Sequence, residues 1–501
     1  MRLPATAVLA SAVRALCLVA LALGVVAGGA GALRAAADDA VRCEVGYATE
    51  DWGTGFTARI TVTNRGPALA TWTLTFSHTG DQRLQQGWNG RWSQSGRDVT
   101  VTAESWNAAL PTGAQVTTGA TFSHSGRNDA PTAFSVNGAP CGGGAPTTPP
   151  TTPPTTPPGT AAPKLKVSGN TLVDANGRTV RLRGVNRSGG EFACVQGWGF
   201  WDGPMDAASV AAIKSWNVNA VRVPLNADCW LGLPNVSATY RGAAYQEQVR
   251  AYVDLLLRNG LTPILDLHWS NGLYTGHGSH CSTADAVCQK PMPDARYAPE
   301  FWKQVATAYR DRTEVVFDLF NEPFPDFLQT MDRDQAWKCW RDGGDACTGL
   351  TYRAAGMRDL LDAVRGTGAA NVVLATGIAY SNDLGRWLEH RPDDPTGNLA
   401  AAWHSYNFNT CSNADCWERT LAPVAAKVPL VAGEIGENTC GHSYVDALMA
   451  WLDRLPGASY LGWTWNTWNC SSGPALISSY DGTPTPYGAG LRDHLRALAR
   501  S

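Results

Sequence analysis

Hydrophobic and polar positions along the chain follow two different rhythms. Between residues 56 and 104 they alternate at every second position, in FTARITVTN (56–64), ATWTLTFSH (70–78) and DVTVTAE (98–104). Successive side chains of a strand point to opposite faces, so each segment predicts a strand with one buried face, and the β-branched content agrees. Asn64-Arg65-Gly66 and Ser95-Gly96-Arg97 supply turn residues between them. Short strands at this spacing predict a small all-β sandwich. From Lys164 on the rhythm changes. Apolar, β-branched runs occur at VRLRGVN (180–186), NAVRVPL (219–225), TPILDLH (262–268), VVFDLFN (315–321), NVVLAT (371–376), AAWHSY (401–406), PLVAGE (429–434) and YLGWTW (460–465). Segments of helical spacing lie between them, such as 245–260 and 301–310. Eight strand-then-helix units over about 340 residues predict an α/β fold, a (β/α)8 TIM barrel with loop insertions. A doubly wound sheet is the alternative, but no glycine-rich phosphate loop follows the first strand.

Residues 142–163, GGGAPTTPPTTPPTTPPGTAAP, belong to neither rhythm. Proline holds such a segment extended, and it can form no core. The predicted organisation is therefore a leader over 1–37, a β-sandwich over 38–141, a linker over 142–163 and a barrel over 164–501. The leader has Arg2 and Arg14, an apolar run from Ala15 to Ala27 and small residues at Ala35-Ala36-Ala37, the pattern of a secretory signal peptide. Cleavage near Ala32 fits as well. An uncleaved anchor is the competing reading, but the run is shorter than the ~20 residues a membrane span needs.

Charge narrows the partners. Forty Lys and Arg against 43 Asp and Glu give a net charge of -3, which speaks against nucleic acid or an anionic membrane as partner. Charged residues make up only 17%, while 20 Trp are present, and flat uncharged rings suit an uncharged partner. Trp72 lies within a strand pattern and is expected in the core. Trp52, Trp88 and Trp106 sit among turn residues, in EDWGTG, QGWNG and ESWNA, and are expected to be exposed. A row of exposed rings can stack on successive sugar rings; plugging the sandwich edges is the other reading. Of 13 Cys, Cys17 falls in the leader and 12 remain, an even number that suits disulfides in an oxidising compartment. Cys43 and Cys141 bracket the sandwich. Cys194/Cys229, Cys281/Cys288, Cys339/Cys347, Cys411/Cys416 and Cys440/Cys470 come as near neighbours. Their spacing is not that of a zinc site, so no metal is expected.

In a barrel, chemistry sits where strands end and the following loops begin. Those positions hold Arg222, His268, Asn321, Glu322, His404, Tyr406, Glu434 and Trp465. Two carboxylates on different strands, set among polar groups and a Trp, are what glycoside hydrolysis requires. Each has a plainer reading. Glu322 alone could be a loop ion pair. His268 and His404 could be satisfied core histidines. Asp266 and Asp318 lie inside strands and read as hydrogen-bonded barrel residues. Glu437 rivals Glu434.

Two resemblances shift these readings. The region from Ala40 to Cys141 resembles a family 2 carbohydrate-binding module through its bracketing cysteines, FTARITVTN, WTLTF, GWNGRWSQSG, SWNAALPTGAQ and PTAFSVNGAPC. That resemblance implies cellulose binding by Trp52, Trp88 and Trp106. The second region is similar to glycoside hydrolase family 5 through LVDANGRTVRLRGVNRSG (172–189), LFNEP (319–323), VAGEIGE (431–437) and WTWNTW (463–468). It implies a retaining mechanism without cofactor, with Glu322 as acid/base and Glu434, not Glu437, as nucleophile. It further implies that Arg222 holds the nucleophile's pKa down and that Asn321 bonds the sugar 2-hydroxyl. His404 and Tyr406 would orient around Glu434, His268 would touch the sugar, and Trp465 would floor the subsite. The Cys- and Trp-bearing stretches 191–204 and 338–347 and the GEIGE form depart from the commonest endoglucanase pattern. The expectation is a secreted, extracellular, monomeric endo-1,4-β-glucanase whose partner is a polysaccharide, cellulose or another β-glucan, with no nucleic acid and no membrane. β-Mannanase, xyloglucanase, exo-acting β-glucosidase and an inactive adhesin are the alternatives.

Overall fold

The computed structural model describes residues 41–51, 55–104, 107–126, 128–142, 161–471 and 473–498. The leader, Trp52, Trp106 and residues 143–160 of the expected linker lie outside them. The described residues fall into two compact units, divided between Thr156 and Pro157.

The described residues of the first unit form nine strands: β1 (Cys43–Asp51), β2 (Gly55–Asn64), β3 (Thr73–Ser77), β4 (Arg83–Trp88), β5 (Arg91–Ser95), β6 (Asp98–Thr102), β7 (Gln115–Ser123), β8 (Phe134–Val136) and β9 (Ala139–Pro140). They form two sheets, ordered β1-β2-β7-β4 and β5-β6-β3-β8-β9. The alternation seen in the sequence fills the space between them: Ala58, Ile60 and Val62 share one core with Leu74, Phe76, Val99 and Val101. Trp72 is buried there, its Nε1 donating to the Asn107 carbonyl at 2.9 Å. A Cys43–Cys141 disulfide joins the first strand to the end of the last. Gly142, assigned to the linker on composition, belongs to this unit, because its N–H donates to the Cys43 carbonyl at 2.9 Å.

The second unit opens with a small sheet, β10 (Lys166–Ser168), β11 (Thr171–Val173) and β12 (Thr179–Val180). Eight parallel strands then close into a barrel: β13 (Arg183–Asn186), β14 (Ala220–Asn226), β15 (Thr262–Trp269), β16 (Val316–Asp318), β17 (Val373–Thr376), β18 (Leu399–Tyr406), β19 (Leu430–Gly436) and β20 (Ser459–Gly462), with β20 pairing back to β13. Helix Ala243–Arg258 buries Tyr245, Val249, Tyr252, Val253 and Leu256, one face at helical spacing. Burying each such side chain stabilises the unit by roughly 1.5–3 kcal/mol. Five further disulfides join Cys194–Cys229, Cys281–Cys288, Cys339–Cys347, Cys411–Cys416 and Cys440–Cys470.

Strand parity positions the site. Val221, Val223, Leu265, Leu267, Phe317 and Trp403 face outward into the helix-packed core. The opposite parity faces inward. At the N-terminal ends of the strands this inward row is apolar: Ala220, Ile264, Val316, Leu374, Ala400, Ala402, Val431 and Leu461 form one cluster with Leu172 and Leu182. Two residues further along, the same row becomes Arg222, Asp266, Asp318 and His404, and then His268. All are buried. Polarity therefore collects at the C-terminal mouth of the barrel. A register shift in the β18/β19 ladder between Trp403 and His404 pairs His404 with Glu434.

Candidate active site

Arg222 organises the mouth. It is fully buried, and its rigid guanidinium fork meets five acceptors. Nη1 donates to Glu434 Oε1 at 2.8 Å and to Asn186 Oδ1 at 3.1 Å. Nε donates to Asp318 Oδ2 at 2.9 Å. Nη2 donates to Asn321 Oδ1 at 2.9 Å and lies 3.1 Å from Asp266 Oδ2. Asp266 and Asp318 are thus the counter-ions of this arginine. The sequence placed them as barrel residues but gave no sign of the shared partner.

The two glutamates approach each other from different elements, Glu322 from the chain just beyond β16 and Glu434 from within β19. The Tyr406 hydroxyl donates to Glu434 Oε2 at 2.6 Å. His404 Nδ1 lies 3.0 Å from Glu322 Oε1 and 3.7 Å from Glu434 Oε2. Glu322, His404 and Glu434 each offer an atom within 4.8 Å of the other two, close enough to grip a cation. The positive charge a cation would bring to Glu434 is already supplied by Arg222. Asn321 precedes Glu322, and its Nδ2 donates to Gln289 Oε1 at 2.9 Å. Strand β16 ends at Asp318, yet the chain runs on in extended form, with Leu319 N bonded to the Leu374 carbonyl and Asn321 N to the Leu267 carbonyl. Those alternating bonds carry Asn321 and Glu322 over the barrel rim.

Burial and charge set the protonation. Burial, and then the neighbouring Glu434 charge, push the Glu322 carboxyl well above the ordinary carboxylate range. Burial raises Glu434 as well, but the Arg222 guanidinium and the Tyr406 hydroxyl pull it back. Arg222 was expected to hold this pKa down; it offsets the cost of burial instead. The proton of the pair therefore belongs on Glu322. Burial lowers His268 to about 3 and drives His404 well below its usual value, so both imidazoles are neutral. His268 Nδ1 bonds Asp266 Oδ2 at 2.6 Å.

Two of the sequence expectations resolve sharply. Glu437 is engaged elsewhere: its Oε2 accepts from the backbone N–H groups of Tyr444 and Val445 at 2.8 and 3.1 Å, at the start of helix Ser443–Arg454, and its Oε1 accepts from Thr439. Trp465 does not floor the site. It is fully buried, edge-on to Trp216 with ring centroids 4.7 Å apart. The ring at the mouth is Trp463, stacked on His268 at 5.5 Å with planes 11° apart. Strand β20 ends at Gly462, so the chain leaves strand geometry before either tryptophan. Asn186 and Gln289 went unnoticed in the sequence. Asn186 ends the first barrel strand, which was a usable signal; Gln289 lies in a loop and had none.

In the first unit Trp88 is 37% exposed, and its ring lies so close over Gly119 that a Cβ there would stand 2.4 Å from it.

Comparison with known proteins agrees with this picture. Residues 173–469 match the family model Cellulase (glycosyl hydrolase family 5), and residues 43–141 match Cellulose binding domain. Endoglucanase CelA of Streptomyces lividans is 30% identical over 445 residues, covering 86% of this chain and 85% of that protein. Exoglucanase A of Cellulomonas fimi is 46% identical over 100 residues, which are 20% of this chain and 12% of that protein. The β-glucanase SdGluc5_26A of Saccharophagus degradans, solved with cellotetraose, shares the fold with a TM-score of 0.52 at 19% identity, covering 68% of this chain and 94% of that one.

Proposed function

This chain belongs to glycosyl hydrolase family 5, the cellulase family, and from that membership we propose that it is a secreted, retaining endo-1,4-β-glucanase acting on cellulose and related β-glucans. One observation carries the retaining chemistry: oxygens of Glu322 and Glu434 lie within 4.8 Å of each other. Inverting pairs stand about 6.5–9.5 Å apart to hold a water, and retaining pairs about 5–5.5 Å.

Glu434 attacks the anomeric carbon as a carboxylate, steadied by Arg222 and Tyr406. Glu322 gives its proton to the departing glycosidic oxygen as the C–O bond breaks. A glycosyl ester on Glu434 results. Esterification removes the Glu434 charge that helps hold the Glu322 pKa up. Glu322 can then act as base, taking a proton from the water that attacks the anomeric carbon and frees Glu434. Asn321 has a second amide hydrogen for the sugar 2-hydroxyl. Neutral His404 touches both glutamates and relays position between them. His268 and Trp463 form a wall beside the reacting sugar, so the stacking role expected of Trp465 passes to Trp463.

The first unit would hold the enzyme on cellulose through Trp88 with Trp52 and Trp106. Residues 143–163 would serve as tether and residues 1–37 as the export signal. Six disulfides suit an oxidising exterior. No helix among the described residues is long and apolar enough to cross a membrane. Each barrel has its own complete mouth, which fits a monomer.

The test is hydrolysis of carboxymethyl-cellulose, barley β-glucan, glucomannan and galactomannan, following reducing ends and product sizes, with Glu322→Gln as blank. Rapid loss of glucan viscosity without action on galactomannan is the expected result. Activity confined to mannans, or release of monosaccharide only, would replace the substrate.

A further inference from the structure

The side-chain amide of Asn321 is held at both ends. Arg222 can only donate, so the oxygen of Asn321 must face it, and Nη2 donates to Oδ1 at 2.9 Å. That turns Asn321 Nδ2 toward Gln289, which must answer with its own oxygen: Nδ2 donates to Gln289 Oε1 at 2.9 Å. Gln289 Nε2 is left as a donor, and it meets the Lys290 carbonyl at 3.0 Å. The bonds from Arg222 to Lys290 therefore run in one direction and fix the orientation of both amides.

The loop after β15 that presents Gln289 is fastened on either side of it. The Cys281–Cys288 disulfide closes the turn immediately before. Lys290 is fully buried, and its Nζ donates to the Thr283 carbonyl at 2.9 Å, tying that turn to the chain that follows. Further on, Phe324 N donates to the Pro291 carbonyl at 2.9 Å and Ala355 N to the Pro293 carbonyl at 2.8 Å. The Tyr352 hydroxyl donates to the Met292 carbonyl at 2.6 Å. The segment with Gln289 thus lies beside the segment with Asn321 and Glu322. The torsion that turns an asparagine amide has a broad minimum, so a bond at one end alone leaves its plane free to swing. Bonds at both ends fix the plane, and with it the direction of the amide hydrogen left for substrate.

We propose that Gln289 is a positioning residue for the hydrolysis: it holds the Asn321 amide so that the remaining Nδ2 hydrogen meets the 2-hydroxyl of the ring that Glu434 attacks. The contact to that hydroxyl strengthens as the transition state forms, and a donor already in place needs no reorganisation at that moment. Gln289 acts through Asn321, not on the glutamates and not on the rest of the glucan chain. The role rests on the reading of this enzyme as a retaining β-glucanase and adds to it a residue outside the barrel strands.

The test measures kcat/KM for an aryl β-cellobioside and for its counterpart lacking the 2-hydroxyl on the ring that bears the aryl group. Gln289→Leu should lose about ten-fold on the first substrate and less than about two-fold on the second. A loosened or misfolded fraction lowers both equally, so the ratio of the two losses reads position and not stability. In an Asn321→Ala background, Gln289→Leu should cost less than about two-fold on the parent substrate, because the residue it acts through is gone. Equal losses on the two substrates, no loss on either, or a further ten-fold loss in the Asn321→Ala background would overturn the positioning role alone. Wild-type enzyme that releases no aryl group from the parent substrate, or releases it with inversion at the anomeric carbon, would instead overturn the retaining β-glucanase reading.

Discussion

Arg222 faces more negative charge than it can neutralise. One guanidinium meets the carboxyl groups of Glu434, Asp318 and Asp266, and all four side chains are buried. Burial accordingly pushes Asp266 and Asp318 up to about 7, with Arg222 opposing it. Oδ1 of each aspartate has no hydrogen-bond partner, which leaves an oxygen to carry the proton. An acid whose folded pKa exceeds its unfolded value of about 3.9 binds its proton more tightly when folded. Its contribution to stability is full below about pH 4 and is lost as pH rises through about 7. The buried neutral histidines His268 and His404 act in the opposite sense, losing stability as pH falls below about 6.5. The wild-type profile mixes both, so the aspartates need a variant to expose them. Asp318→Asn keeps the shape and removes the titration. Its thermal midpoint relative to wild type should improve steadily from pH 4 to pH 7.5; a pH-independent difference would show that Asp318 stays ionised throughout. Arg222→Lys tests the hub itself. A point charge cannot span five acceptors, and stranded buried carboxylates cost about 3–5 kcal/mol. We expect that loss in denaturant unfolding, together with a fall in kcat of about 10²–10³.

At the scale of the element, strand parity accounts for what the sequence disclosed. Each of the eight apolar runs became a barrel strand. Because period two holds along a strand, Arg222, His268 and His404 were legible as mouth residues from position alone, whereas Glu434, three residues after the inward-facing Val431, reaches the mouth through the register shift in β19. Parity stops where the strand stops. Beyond Gly462 the chain folds over, with Thr464 N bonded to the Pro474 carbonyl and Leu476 N to the Thr464 carbonyl. Trp463 and Trp465 share a parity, yet one faces the mouth and the other enters the core. Glu437 shows the same limit, since only the fold reveals that a helix start claims it. The partners of Arg222 were illegible for a different reason. They come from five separate strands or loops, and no local pattern records which side chains converge. The two tryptophans offer a direct comparison. Trp465→Ala should remove about 3–5 kcal/mol of stability by leaving a cavity beside Trp216. Trp463→Ala should leave the unfolding midpoint nearly unchanged and lower kcat/KM on β-glucan by about ten-fold or more. Equal stability losses in the two variants would return Trp463 to the core.

For the whole molecule, the question is what the second unit gains from the first. The barrel has its own core, its own five disulfides and every residue of the mouth. Cutting the chain within the Pro/Thr stretch, to leave residues 157–501, should therefore change kcat/KM on soluble carboxymethyl-cellulose by no more than about two-fold. Insoluble cellulose should respond differently. Tethering makes the catalyst's encounter with the surface intramolecular, and its advantage is an effective concentration of the order of millimolar rather than any new contact. Such an advantage depends on conditions. At low enzyme load the isolated barrel should release sugar from crystalline cellulose at least about ten-fold more slowly than the full chain. As load rises the surface saturates and the two rates should converge. Trp88→Ala in the full chain should fall between them, because it weakens binding while leaving the barrel untouched. Convergence at high load distinguishes delivery from disruption of the surface, since a sandwich that loosened cellulose chains would keep its advantage at every load.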